Sequence, residues 1–342
     1  MSLRLALAQL APRLGLVEEN LARHREVLAA SREGRADLVV FPELGLTGYQ
    51  LQDLAADVAM RLDDPRLAAL ARETRGLSAV ISFVEESDDH RLFIAAALLE
   101  DGEFRHVHRK VHLPTYGLFD ERRFFAAGDA VRATTSRLGL GIGLAVCEDF
   151  WHLPVPLLLA LDGAQVLVNV SSSPGRDVAA VHEVGLGTAM SWHSLLHTYA
   201  ELTTSFVVFC NRVGVDESIT FWGGSEVIGP DGDTLFRAPL HDEGLYFVEI
   251  DPAAVRRERV ALPLLRDERP ELVLRQFERL IRERAGIAVE SGPDGIVAPG
   301  VVAPGAAAVS DGAVVPGAAG VSDGAVVPGA AGVSDGAVVP GG

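Results

Sequence analysis

Gly139-Leu-Gly-Ile-Gly-Leu-Ala-Val-Cys147-Glu-Asp-Phe-Trp151 is an apolar, glycine-punctuated run that ends on a cysteine followed by two acids and two aromatics. It reads as a buried strand whose end presents a thiol, the position where open α/β sheets place reactive groups. Working outward, Val39-Val-Phe-Pro-Glu43 is another apolar strand closing on a carboxylate, and Arg109-Lys110-Val-His-Leu-Pro-Thr-Tyr-Gly-Leu-Phe-Asp-Glu121 carries a cation. A thiol attacking an amide needs a group to take its proton, donors for the oxyanion and an acid for departing ammonia. Glu43 fits the proton shuttle. Lys110 fits the oxyanion donor, together with the backbone amide of Glu148, and its charge is expected to lower the thiol pKa. Each residue alone has a plainer reading as a buried small side chain, a strand end or a surface charge. Their joint occurrence in the order Glu, Lys, Cys points to a Glu-Lys-Cys hydrolase forming a thioester on Cys147.

The surrounding pattern predicts an α/β domain over residues 1–290. Strands are expected at Leu3–Ala8, Asp37–Phe41, Ala79–Phe83, Phe93–Leu99, Ile142–Val146, Val166–Val170, Ser205–Cys210, Ser225–Ile228 and Leu245–Ile250. Helices are expected at Val17–Ser31, Pro65–Arg75, Pro154–Leu161, Ser191–Glu201 and Pro270–Arg284. Phe93–Leu99 and Phe104–Val107, joined by Glu-Asp-Gly-Glu, read as a hairpin, so the sheet is mixed and a plain Rossmann domain is disfavoured. Gly139, Gly141 and Gly143 lead into a cysteine and not into a loop and helix, which favours close backbone packing over a dinucleotide loop.

From residue 291 to 342 the composition shifts to a Gly/Ala/Val/Pro repeat in which Val309, Val321 and Val333 recur at equal intervals. Such a segment cannot bury enough side chain to offset its ordering entropy, so a disordered tail is expected. The formal net charge of −17 argues against nucleic acid or an anionic membrane as partner. No apolar run reaches the roughly 20 residues of a membrane span, and the N-terminus lacks a leader pattern. With only Cys147 and Cys210, a disulfide framework is not expected, which suits a cytoplasmic location. Cys210 reads as a buried, inert thiol. His193 and His197 lie four apart on a helix, but no third metal ligand accompanies them in sequence, so a packing role is favoured over a metal.

The chain resembles the nitrilase superfamily of carbon-nitrogen hydrolases in Phe41-Pro-Glu43, Lys110 and Cys147-Glu-Asp149, over roughly Leu3 to Asp251. More narrowly, Phe-Pro-Glu-Leu-Gly-Leu-Thr-Gly-Tyr49, the segment Lys110 to Phe124 and Cys147-Glu-Asp-Phe-Trp151 are similar to the glutaminase domain of glutamine-dependent NAD synthetases. The resemblance implies a four-layer α-β-β-α sandwich with mixed sheets, a cofactor-free thioester mechanism and assembly into homodimers or larger homo-oligomers. It implies Glu121 as an additional active-site glutamate bonded to Lys110 and the substrate amide. Tyr49, Tyr116, Glu148 and Trp151 are expected around the substrate, and Ser172, Ser173 and Arg176, in the loop after a strand, at its far end. The expected substrate is a small primary amide, glutamine or glutamine-like; a nitrile or N-carbamoyl compound is the alternative. No phosphate-binding loop accompanies these motifs, so a separate ATP-dependent synthetase is a candidate partner. Removing residues 291–342 is expected to leave folding and turnover unchanged; loss of the thermal unfolding transition on truncation would contradict this.

Overall fold

The computed structural model describes residues 2–175, 187–216 and 218–286. Arg176 and the repeats lie outside them. A compact unit extends to Leu274, and the helix Pro270–Arg284 has no buried residue.

Two six-stranded sheets form the core. The first contains β1 (Leu3–Gln9), β2 (Leu38–Val40), β3 (Ser78–Glu86), β4 (Leu92–Glu100), β5 (Glu103–Arg109) and, beside β1, β14 (Gly244–Ile250). The second runs in the order β13 (Thr234–Arg237), β12 (Glu226–Ile228), β9 (Phe206–Asn211), β8 (Val166–Ser171), β7 (Gly141–Val146) and β6 (Ala133–Thr135). β10 (Val213–Asp216) and β11 (Ile219–Trp222) form a separate antiparallel hairpin. In each six-stranded sheet three central strands are parallel, β1-β2-β3 and β7-β8-β9, and the flanking pairs are antiparallel. The sheets are therefore mixed, as the hairpin signals predicted.

The sheets face each other. The side chain of Cys210 on β9 reaches the backbone carbonyls of Val40 at 3.2 Å and Ala8 at 3.6 Å in the other sheet. The helices Val17–Glu33 and Pro65–Arg72 cover the first sheet, and Pro154–Leu161 and Gly187–Thr203 cover the second. Pro65 at the first turn and the Asp64 side chain, which accepts from the Arg66 amide at 2.8 Å, start one of these helices. The result is the α-β-β-α sandwich. Strands buried on both faces are continuous apolar runs, which is why β4 and β7 are so easily read from the sequence.

The glycines before Cys147 serve packing. A Cβ on Gly141 would sit 2.0 Å from the Gly163 carbonyl oxygen, and one on Gly143 would sit 2.9 Å from the Leu159 Cβ. β7 thus lies tight against the chain leaving the helix Pro154–Leu161, which fixes where the strand ends. Gly141→Ala is expected to cost about 1–3 kcal/mol through the forced backbone shift, read from urea unfolding; an unchanged midpoint would show that the contact yields freely.

Candidate active site

β2, β5 and β7 end at one place and deliver Glu43, Lys110 and Cys147 to it. Lys110 is fully buried and its Nζ donates to Glu43 Oε1 and Glu121 Oε1, each at 2.8 Å. Tyr49 Oη donates to the same Glu121 oxygen at 2.6 Å. The second oxygen of Glu43 accepts the Ser172 amide at 2.7 Å, while the Ser172 hydroxyl donates to the Glu43 carbonyl at 2.9 Å. Burial alone would lower Lys110, but the charges of Glu121 and Glu43 outweigh it and hold the ammonium well above its usual range. Burial raises Glu121 to about 7, against the pull of Lys110.

Cys147 opens a short 3-10 turn, Cys147–Trp151, with φ of +42°. A non-glycine residue in that region carries strain of roughly 1–3 kcal/mol. Three contacts hold it there. Asp149 accepts the Val146 amide at 3.0 Å, Asn169 Nδ2 donates to the Cys147 carbonyl at 3.3 Å, and Ser171 Oγ donates to Sγ at 3.2 Å. Asp149 also accepts from the amides of Val111 and His112 at 3.0 and 2.9 Å and from His108 Nε2 at 2.8 Å. One buried carboxylate thereby ties the chain after Lys110 to the turn that carries the thiol. Although burial opposes it, the hydrogen bonds from His108 and His112 hold Asp149 well below the usual carboxylate range.

The sequence reading expected Lys110 to depress the thiol. Burial comes first and raises it, the charge of Glu43 adds to this, and Lys110 offsets only part, so the thiol stands well above its ordinary value. Burial and the Glu43 charge thus favour the protonated form of the Cys147 thiol at neutral pH.

Cys147 lines a cavity of about 490 Å³ with Tyr116, Phe119, Glu148, Trp151, Ser173 and Trp192. The Tyr116 hydroxyl donates to the Glu148 carboxylate at 2.9 and 3.0 Å. Trp151 is half exposed and meets Trp192 edge-on at 5.2 Å. Ser173 Oγ accepts the indole N–H of Trp192 at 2.8 Å and of Trp222 at 3.2 Å. Of the residues expected around the substrate, Tyr116, Glu148, Trp151 and Ser173 thus meet at the cavity wall. Ser172 is instead fully buried against Glu43. Tyr49 is turned onto Glu121 and borders a neighbouring hollow. Arg176 falls outside the described residues. Sequence reasoning gives no role to Ser171, Asn169, Asp149 and Trp192; Asp149 lies within the cysteine motif and Asn169 and Ser171 just before Ser172, whereas Trp192 carries no local signal.

The model of the carbon-nitrogen hydrolase family matches residues 4–259, and the chain belongs to that family. It is an enzyme family acting on carbon–nitrogen bonds. The chain is 33% identical over 259 residues to the glutamine-dependent NAD(+) synthetase of Thermotoga maritima, covering 73% of this chain and 42% of that protein. With the corresponding synthetase of Acinetobacter baylyi it shares 27% identity, covering 86% and 52%. It therefore spans about half the length of these relatives. Among solved structures, an amidase of the nitrilase superfamily from Nesterenkonia superposes with a TM-score of 0.66 at 26% identity, covering 80% of this chain and 97% of that one. A structure of a glutamate-to-glutamine mutant of the Nesterenkonia amidase shows covalent addition of the acetamide moiety of fluoroacetamide at its active-site cysteine. Among the described residues, no helix is long and apolar enough to cross a membrane.

Glu121 supplies a pH test. Its folded value of about 7 lies above the ordinary 4.5. The group therefore favours the folded state fully below pH 4.5 and loses that contribution as pH rises to about 7, an effect of roughly 2–4 kcal/mol. Between these pH values wild-type stability is expected to fall relative to Glu121→Gln in chemical denaturation; parallel curves would contradict the assignment.

Proposed function

We propose that this chain is a cysteine amidohydrolase that releases ammonia from a small primary amide with an amino-acid-like end, glutamine or a close analogue. The observation that carries the reading is the convergence of Glu43, Lys110 and Glu121 within hydrogen-bond reach beside Cys147 at the cavity wall.

In the reaction, Glu43 takes the thiol proton as Sγ attacks the amide carbon, because the thiol is protonated at rest. The developing oxyanion receives Lys110 Nζ and the amide of Glu148, which lies in the first turn where amides lack intrahelical partners. Glu43 returns the proton to the departing nitrogen, ammonia leaves, and the acyl group remains as a thioester on Cys147. Water then attacks, with Glu43 accepting its proton, and the acid and free thiol are released. Glu121 Oε2 is buried and makes no hydrogen bond among the described residues; it is placed to accept from the substrate amide N–H.

Two features of the cavity favour an amino-acid-like substrate. The Glu148 carboxylate suits a cationic amino group. Both lone pairs of Ser173 Oγ are taken by indole donors, which leaves its proton for an acceptor such as a carboxylate. A nitrile or N-carbamoyl substrate would use the same Cys147 chemistry without a need for either group.

The half-length match to NAD synthetases favours a second reading of the same chemistry, in which ammonia is passed to a separate ATP-dependent synthetase. Assembly as a homodimer or larger homo-oligomer and a cytoplasmic location complete the proposal.

A panel of amides, nitriles and N-carbamoyl compounds, with ammonia detection and intact mass, tests this directly. Glutamine-type amides are expected to give ammonia and a Cys147 acyl adduct. Cys147→Ala should lower turnover by on the order of 10⁴-fold or more, and Glu43→Gln by about 10²–10⁴-fold. Undiminished hydrolysis by Cys147→Ala would remove the nucleophile, and turnover of nitriles alone would remove the amide.

A further inference from the structure

The fold supplies the partner that the sequence lacks for the histidine pair on the helix Gly187–Thr203. Glu226, nearly buried on β12, lies with Oε1 3.1 Å from His193 Nδ1 and 3.3 Å from His197 Nε2. One atom from each of the three residues falls within 4.8 Å of the others. We propose that His193, His197 and Glu226 bind one divalent transition-metal ion of the zinc type, clamping this helix to β12.

With a neutral ring at His197, lone pairs face each other in this cluster. His197 Nδ1 lies 2.5 Å from the Gly232 carbonyl oxygen, which can only accept, so Nδ1 carries the ring proton. In the neutral ring Nε2 then presents a lone pair, and it faces the carboxylate oxygen of Glu226, another lone-pair group. The Thr234 hydroxyl lies 3.1 Å from that nitrogen and 3.2 Å from that oxygen, but has one proton to give. His193 Nδ1 faces the Glu226 carboxylate, and the Arg237 guanidinium approaches the same ring at Nε2, 3.1 Å away. A metal ion accepts a lone pair from all three.

The geometry matches that role. Ligand atoms about 2.0–2.1 Å from a tetrahedral ion are separated by roughly 3.3 Å, close to the two distances onto Glu226. Histidines four apart on a helix share one face, and a ligating imidazole usually donates its other N–H to a carbonyl, as His197 does to Gly232. Two imidazoles and a carboxylate favour zinc-type ions over magnesium or calcium. Arg237 donates to Glu226 from Nη2 at 2.8 Å and is the competing cation. It is half exposed on the edge strand β13, so it can swing into solvent.

This site is separate from the catalytic one, since none of its three residues lines the cavity at Cys147. The neighbouring Trp192 does, and it holds Ser173. A clamp at His193 and His197 therefore steadies the helix that forms one cavity wall.

The test uses the full chain in a Cys147→Ala background, so that the catalytic thiol cannot ligate, after chelator treatment. Zinc and cobalt(II) are titrated, with bound metal, visible absorption and melting temperature as readouts. The expected result is one equivalent of zinc, a raised melting temperature and the absorption of four-coordinate cobalt. His197→Ala and Glu226→Gln should each weaken zinc by about ten-fold or more, and Arg237→Ala should strengthen it. Melting of each variant without metal separates lost binding from lost folding. The proposal fails if sub-millimolar zinc does not bind, if it binds only after Arg237 is removed, or if binding is unchanged with both histidines replaced by asparagine.

Discussion

A lysine ammonium with no exposure to water, held at 2.8 Å by two carboxylates from different segments, is the constraint around which this molecule is arranged. A buried charge is tolerated only with its partners in place, and removing one partner of such a pair typically costs about 3–5 kcal/mol. The ends of β2 and β5 and the Glu121 segment must therefore meet, and the two sheets must pack so that β7 ends beside them. Supporting contacts are spent on that register: Ser172 on Glu43, Tyr49 on Glu121, and Asp149 on both the Lys110 segment and the turn at Cys147. Positive φ at Cys147 and at Leu44, the residue after Glu43, places local strain beside two of the candidate catalytic groups. Strain of this kind persists where surrounding contacts overdetermine it.

The same cluster sets the state of the sulfur. Two carboxylates share one ammonium beside the buried thiol, so burial and the charge of Glu43 prevail over the attraction of Lys110. In the proposed mechanism, attack by the thiol is coupled to proton transfer to Glu43 and uses no histidine. The His108 side chain and the His112 amide lie close by and donate to Asp149, tying the chain after Lys110 to the turn at Cys147.

Much of this was legible because strands buried on both faces are written as continuous apolar runs, and the candidate catalytic residues follow them. Glu43 and Cys147 were found that way, and Lys110 and Glu121 by the motif that joins them. Contacts between residues far apart in sequence left no such mark. Ser172 and Ser173 are adjacent in an irregular stretch after β8, where strand alternation stops, so nothing in the sequence told which would face the cavity and which Glu43. The third member of the histidine cluster, Glu226, lies 29 residues beyond His197 on another element. The hairpin β10–β11 escaped notice because its strands are short and carry neither an apolar run nor a regular alternation.

Ultraviolet difference absorption between the wild type and Cys147→Ala, followed across pH, reads the thiolate of Cys147 in the resting enzyme and so tests the charge balance around Lys110 most directly. The account predicts no thiolate signal at neutral pH, with absorption emerging only above the ordinary thiol range. A full thiolate signal at pH 7 would show that Lys110 dominates the sulfur and would contradict it.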